Sequence, residues 1–233
     1  MSDSIARITE LVRRETGITV PAARQAALVA ALRRAAPGLD TGAFLRAAAD
    51  PGRRRALVDA LIDEVTIRET TFARDRRQLD TIAWHSLLQG ARAAGSRTIR
   101  VWSAGCASGE EAYTLALLAS EAFASRHAPV DVLGTDISGA ALAAAAAGQY
   151  RERAVRALEA PLRARYLDRQ ADGSYLVGRD LRALVRFRRH NCLFRHQAVA
   201  SNFALGAGGR WKVVSLRGRK FKMCKPSGPA RKP

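Results

Sequence analysis

No lysine occurs before residue 212, and no aspartate or glutamate occurs after residue 180. The chain has 233 residues and a net charge of +18, which taken whole looks like a nucleic-acid signature. The two absences argue against that. Residues 1–180 hold 25 arginines and 21 acids, a balance of +4, whereas residues 181–233 hold 14 basic residues and no acid. The excess charge is local to the tail, and no aromatic stacking ladder accompanies it. No nucleic-acid partner is expected, and a basic nucleic-acid-binding protein is the weakest reading. Two compositional regimes share one chain, and the tail reads as a basic extension or as a segment that does not normally complete the domain.

Cysteine is scarce too. Cys106, Cys192 and Cys224 form no CxxC pair, which excludes a disulfide framework and cysteine-based metal spacing. His85, His127, His190 and His196 have no carboxylate or cysteine partner at ligand spacing. They read as structural or surface residues, and no metal is expected. Long apolar runs are missing: Ala140 to Ala147 is the longest with little charge, far short of a bilayer span. The N-terminus lacks the basic start and apolar core of a secretory signal. The expectation is a cytoplasmic protein without direct membrane insertion. Hydrophobic residues at 48% suffice for a core in one large domain or two small ones.

What is present divides at about residue 70. Ile5, Ile8, Leu11 and Val12 repeat at helical spacing until Gly17. Pro21 suits the first turn of a helix through Leu32. Asp40 or Thr41 can cap a short helix through Leu45, and a longer one carries Leu57, Leu61, Ile62 and Val65. Residues 1–70 therefore read as a small all-helical domain. Strand and helix then alternate: a strand at 99–102, a helix at 110–124, a strand at 130–136, a helix capped by Ser138 and ended by Gly148, and a strand at 184–187. Residues 154–166 read as one helix. Alternation predicts a parallel α/β sheet with helices on both faces. From 192 to 209 no clean period appears, 210–216 suits a strand, and the end reads as solvated and basic.

Chemistry concentrates in "WSAGCASGEEAYTLALL", residues 102–118. A small-residue turn between strand and helix ordinarily welcomes an anion. This one carries Glu110 and Glu111 and is not a GxGxxG, since only Gly105 and Gly109 are glycines. Two acids there would repel a pyrophosphate. Asp136, ending the next strand, can accept both hydroxyls of a ribose, a feature a dinucleotide site shares. S-adenosylmethionine has a sulfonium, an ammonium and a ribose but no phosphate, so the charge pattern favours it over NAD. For one of the two glutamates, stabilising the helix dipole is reason enough.

Four blocks, "RETTFARD" (68–75), "VWSAGCASGEEAYTLALL" (101–118), "LGTDISGAALAAAAAGQY" (133–150) and "VRFRRHN" (185–191), resemble in order and spacing the CheR family. These are S-adenosylmethionine-dependent protein-glutamate O-methyltransferases of chemotaxis adaptation. The resemblance covers about 5–191. It implies a helical domain at 1–70 and a Rossmann-like methyltransferase domain at 71–191 with a small β-subdomain at about 165–183, leaving 192–233 as an atypical basic segment. It implies that Arg68, Thr70, Glu111, Asp136, Asn191 and Cys192 line the cofactor, with Gly105 in the loop. Arg74 would sit beside both cofactor and substrate as the catalytic residue. The implied partner is a methyl-accepting chemotaxis receptor, an acidic helical bundle. The short Asp172-Gly173 loop resembles that of family members that need no receptor-tail peptide.

The sequence also departs from the family. Ala73 stands where the pattern has a second phenylalanine, and Cys192 where it has an aliphatic residue. Beyond Asn191 the family's Asn-Val and Tyr strand is not recognisable, and "RWKVVSLRG" is the nearest apolar run. A replaced or frame-shifted C-terminus is the expectation, with an incomplete sheet. The alternative function is a catalytically impaired relative lacking the C-terminal half of that sheet.

Overall fold

A computed structural model describes residues 2–66, 70–191, 202–207 and 210–215. The chain begins with helices α1 (Ser2–Thr16), α2 (Gln25–Ala35), α3 (Thr41–Ala47) and α4 (Pro51–Val65). Their ends are written locally. Gly17 takes φ 66° and stops α1. Asp40 accepts a hydrogen bond from the Ala43 amide at 2.7 Å, and Asp50 from the Gly52 amide at 2.8 Å, satisfying amides at two helix starts. Pro51 follows at the first helical position of α4, where its missing N–H costs nothing. The apolar stripes of these helices bury Ile8, Val12, Leu28, Leu32, Phe44 and Leu61 in one cluster.

A second, larger core surrounds a sheet. The elements in order are α5 (Arg76–Leu79), α6 (Trp84–Ala93), β1 (Ile99–Ala104), α7 (Glu110–Ala122), β2 (Val130–Asp136), α8 (Gly139–Ala147), β3 (Gln149–Tyr150), α9 (Glu152–Val155), α10 (Ala160–Tyr166), β4 (Leu167–Arg169), β5 (Tyr175–Val177), α11 (Arg179–Ala183), β6 (Val185–Arg189), β7 (Asn202–Ala207) and β8 (Arg210–Ser215). The main sheet has the order β6-β2-β1-β7-β8. β1, β2 and β6 run parallel, with Val101 beside Val132 and Gly134 beside Phe187. α7 is enclosed on nearly every side: ten of its thirteen residues are buried, among them Glu110, Thr114 and Ser120. Antiparallel β3-β5-β4 forms the small separate sheet.

Four expectations change. The sheet is mixed rather than parallel, because β7 pairs antiparallel with β1 and β8 with β7. Beyond residue 191 the expected strand at 210–216 is present as β8, and a second one, β7, lies in a stretch without a clean period. Residues 202–207 alternate Phe and Leu with Ala and Gly, a weak β signal that pairing with β1 overrides. Crossovers from β1 to β2 and from β2 to β6 step the same way across the sheet. Right-handed connections then put α7 and α8 on one face rather than two. Residues 154–166 form two short helices, α9 and α10, separated at 156–159 and restarted by Pro161 near the N-terminus of α10.

Glycine is required at Gly134. A Cβ there would lie 2.7 Å from Phe187 Cδ1 and 3.1 Å from Cys106 Sγ. Gly134→Ala is expected to lower stability by about 1–3 kcal/mol through overpacking. Adding Phe187→Leu should recover part of that loss in thermal melts, because the ring is the obstacle; an unchanged melting temperature in the single variant would contradict the β2–β6 register.

Candidate functional site

The site is built at the carboxyl ends of β1 and β2, where open α/β sheets bind ligands. After Ala104 the chain turns through Gly105 at φ 69°, Ala107 at φ 48° and Gly109 at φ 93°. The end of β2 holds this turn. The amides of Gly105 and Cys106 both donate to the Thr135 carbonyl, at 2.7 and 2.9 Å. The Ala107 amide donates to Asp136 Oδ2 at 2.8 Å, and the Ser138 amide to Asp136 Oδ1 at 2.9 Å. A carboxylate offers about four lone-pair sites. Asp136 is therefore fixed by one backbone amide per oxygen and keeps a lone pair on each. Gly105 is exposed beside it.

The two glutamates that open α7 differ. Glu111 is half-buried and its Oε1 accepts from Ser103 Oγ at 2.6 Å. Burial pushes its carboxyl above the usual range, against the Ser103 hydrogen bond and the nearby Arg74; Asp75 pushes it further up. Glu110 is only 4% exposed and accepts from Ser108 Oγ at 2.7 Å. Burial pushes its carboxyl up to about 7. The Ser108 carbonyl in turn accepts from Tyr150 Oη at 2.6 Å. Glu110 thus ties the loop to the helix from inside, and Glu111 faces outward.

Opposite Glu111 lies the segment 70–75. The Ala73 amide donates to Thr114 Oγ1 at 3.1 Å, and that hydroxyl donates to the Glu110 carbonyl at 2.6 Å. Phe72 is fully buried and meets the Tyr150 ring edge-to-face at 4.9 Å. Ala73 and Asp75 both take left-handed backbone, at φ 53° and 57°, a strain that costs of order 1–3 kcal/mol each and clusters at functional sites. The result is a small cleft lined by Thr70, Thr71, Arg74, Asp75, Leu79, Glu111 and Thr114.

Of the residues singled out in the sequence, Thr70, Arg74 and Glu111 share this cleft. Gly105 and Asp136 meet at the strand ends. Asn191 follows β6, where the His190 amide donates to the Asp136 carbonyl at 2.9 Å; its own side-chain amide donates to the Glu15 carbonyl at 2.7 Å. Arg68 and Cys192 lie outside the described residues. Sequence reasoning missed Ser103 and Tyr150, which act across elements with no spacing to announce them, and Ser108, which joins Glu110 beside it to Tyr150 far along the chain. Cys106 is 2% exposed, and burial with Asp136 and Glu111 nearby drives its thiol pKa upward, so it is a packing residue and no nucleophile. His85 meets the Ala122 carbonyl and the Phe123 ring, and His190 the Trp102 ring. No cluster of metal-ligating residues occurs among the described residues, and no described helix is long and apolar enough to cross a membrane.

A Rossmann-like fold whose ligand loop presents acids in place of a phosphate cradle, with an acid ending the next strand, fits the class of S-adenosylmethionine-binding domains. The model of the CheR methyltransferase SAM binding domain matches residues 68–205, and the chain belongs to the CheR family. The match crosses residue 191, where the resemblance read from the sequence stopped. Chemotaxis protein methyltransferase 1 of Pseudomonas aeruginosa is 33% identical over 146 residues, covering 60% of this chain and 53% of that protein. A chemotaxis protein methyltransferase of Listeria innocua is 34% identical over 140 residues, covering 59% and 51%. Chemotaxis protein methyltransferase 2 of P. aeruginosa is 29% identical over 205 residues, covering 85% and 71%. The chain spans about half the length of the first two. S-adenosylmethionine is the cofactor of this domain, and the residues fit it: Glu111 offers an anion to a cationic group, Asp136 offers two acceptors to a ribose, and the loop carries no basic residue for a phosphate.

The buried Glu110 has a stability signature. Its folded-state pKa lies above the ordinary carboxylate value, so the folded state binds its proton more tightly. Stability is therefore lost as pH rises from about 4.5 toward 7. Glu110→Gln keeps the shape and an acceptor for Ser108. It should be close to neutral at pH 5 and stabilising by about 3 kcal/mol at pH 8, measured by urea unfolding at both values. An equal effect at both would contradict the buried, proton-binding carboxyl.

Proposed function

We propose that this chain transfers a methyl group from S-adenosylmethionine to glutamate side chains of methyl-accepting chemotaxis receptors. The observation that most supports it is the shared cleft, in which Arg74 and Glu111 face one small volume. The cofactor supplies an electrophilic methyl group on a sulfonium. Glu111 would hold its ammonium end and Asp136 its ribose, while Thr70 lines the same cleft. Arg68, Asn191 and Cys192 are assigned to the cofactor through the family pattern, with Asn191 and Cys192 toward the adenine. The three-part division at 70 and 191 is part of the same reading.

A receptor glutamate has an ordinary pKa of about 4.3 and is ionised at neutral pH. It needs no general base. What the enzyme must supply is approach and alignment, and the approach is electrostatically difficult because Glu111 and Asp75 line the cleft. Arg74 would offset that repulsion and orient the incoming carboxylate through charge-assisted hydrogen bonds. The exposed run Arg53-Arg54-Arg55 on α4 suits an acidic helical bundle as partner, although Arg54 also pairs with Glu15 at 2.8 Å. Chemoreceptor signalling domains lie in the cytoplasm, which is where this reading puts the protein.

A second reading is a cofactor-binding relative with impaired transfer. It is favoured by β8, whose sequence Arg-Trp-Lys-Val-Val-Ser lacks the Asn-Val and Tyr of the family strand. Labelled S-adenosylmethionine incubated with receptor-bearing membranes separates the two. The enzyme reading predicts base-labile label on the receptor. Arg74→Ala should lower kcat/KM about 100-fold with S-adenosylhomocysteine affinity changed far less. Cofactor binding without any transfer would overturn the enzyme reading in favour of the second.

A further inference from the structure

The loop carrying Asp136 is held from the helical part of the chain. α4 presents Asp59 and Asp63 one turn apart on one face. Asp63 Oδ1 accepts from Ser138 Oγ at 2.7 Å and from the Ala140 amide at 3.3 Å. Asp59 takes both terminal nitrogens of Arg189, whose Nε donates to the Ile137 carbonyl at 2.9 Å. The three residues 136–138 are thus gripped at Ile137 and at Ser138 by two acids of one helix.

Ser138 is the point where these contacts meet. It is fully buried. Its hydroxyl caps α8 by accepting from the Ala141 amide at 3.0 Å, while its own proton goes to Asp63. Its amide donates to Asp136 Oδ1. A helix cap needs only the acceptor half of a serine. The donor half is spent on another structural unit, which capping does not explain. With both halves engaged, the hydroxyl cannot rotate, and the Ser138 amide is aimed at Asp136.

We propose that Asp63 is a positioning residue for the cofactor, acting through Ser138 on Asp136, so that the helical part of the chain sets cofactor affinity without touching the cofactor. The proposal rests on Asp136 being the ribose acceptor. Asp59 assists through Arg189 and Ile137. In this arrangement an acidic partner that moved α4 would also change cofactor binding.

The test is calorimetric titration of the full chain with S-adenosylhomocysteine. Asp63→Ala should weaken binding about tenfold, the size of one hydrogen bond to a charged group. Asp63→Asn keeps an acceptor for Ser138 and should restore most of the affinity. Glu64→Ala, next along α4 and paired with Arg34 at 2.6 Å, should bind like the wild type. Asp136→Ala combined with Asp63→Ala should be no weaker than Asp136→Ala alone, because one residue acts through the other. Additive losses, or an Asp63→Ala variant that binds at full strength, would overturn the proposal while leaving the cofactor site intact. Failure of the wild type to bind would overturn the cofactor reading itself, and the proposal with it.

Discussion

The pairing of β1 with β2 governs this site. Ala104 lies beside Thr135 at the ends of two parallel strands, and the Thr135 carbonyl takes two successive amides from the turn that follows β1. A turn with only two glycines in seven residues could not hold its shape alone. It keeps that shape because the next strand supplies the acceptors. Asp136 completes the arrangement by accepting the Ala107 amide, so the residue best suited to a ribose also fixes the loop beside it. Disrupting the strand pairing would lose the loop, the acid and the start of α7 together.

The acids in the loop make sense from that geometry. Glu110 points inward to Ser108 and Glu111 outward to the cleft. The inward acid costs stability at neutral pH, since burial raises its pKa. The outward one is also raised by burial, and Ser103 and Arg74 offset part of that. A helix start that normally attracts phosphate carries two acids here, which suits the cationic end of the proposed cofactor. The strained backbone at Ala73 and Asp75 brings the arginine-bearing turn over this helix.

Much of the architecture was legible in the sequence where local chemistry decides structure. Asp40 and Ser138 cap their helices with side-chain oxygens, and Gly148 ends its helix because it has no Cβ to oppose a positive φ. The strands 99–104 and 130–136 announce themselves by β-branched residues. Residues 202–207 did not, because their strand is made by pairing with β1 on one side and β8 on the other. The break between α9 and α10 was hidden by residues that all favour helix except Pro161. Within the site, Glu111, Asp136, Thr70 and Arg74 were legible as motif residues. The contacts that position them were not: Ser103 to Glu111 spans eight residues, Ala73 to Thr114 spans 41, and Asp63 to Ser138 spans 75. Such pairs are set by packing, and no spacing rule encodes them.

We infer that this loop selects a cationic, phosphate-free ligand. Direct titration of the purified chain with S-adenosylmethionine and, separately, with NAD tests it. Saturable binding of S-adenosylmethionine that Glu111→Gln weakens is expected, with no detectable binding of NAD at the same concentrations. Binding of NAD with comparable affinity, or S-adenosylmethionine binding indifferent to Glu111→Gln, would contradict it.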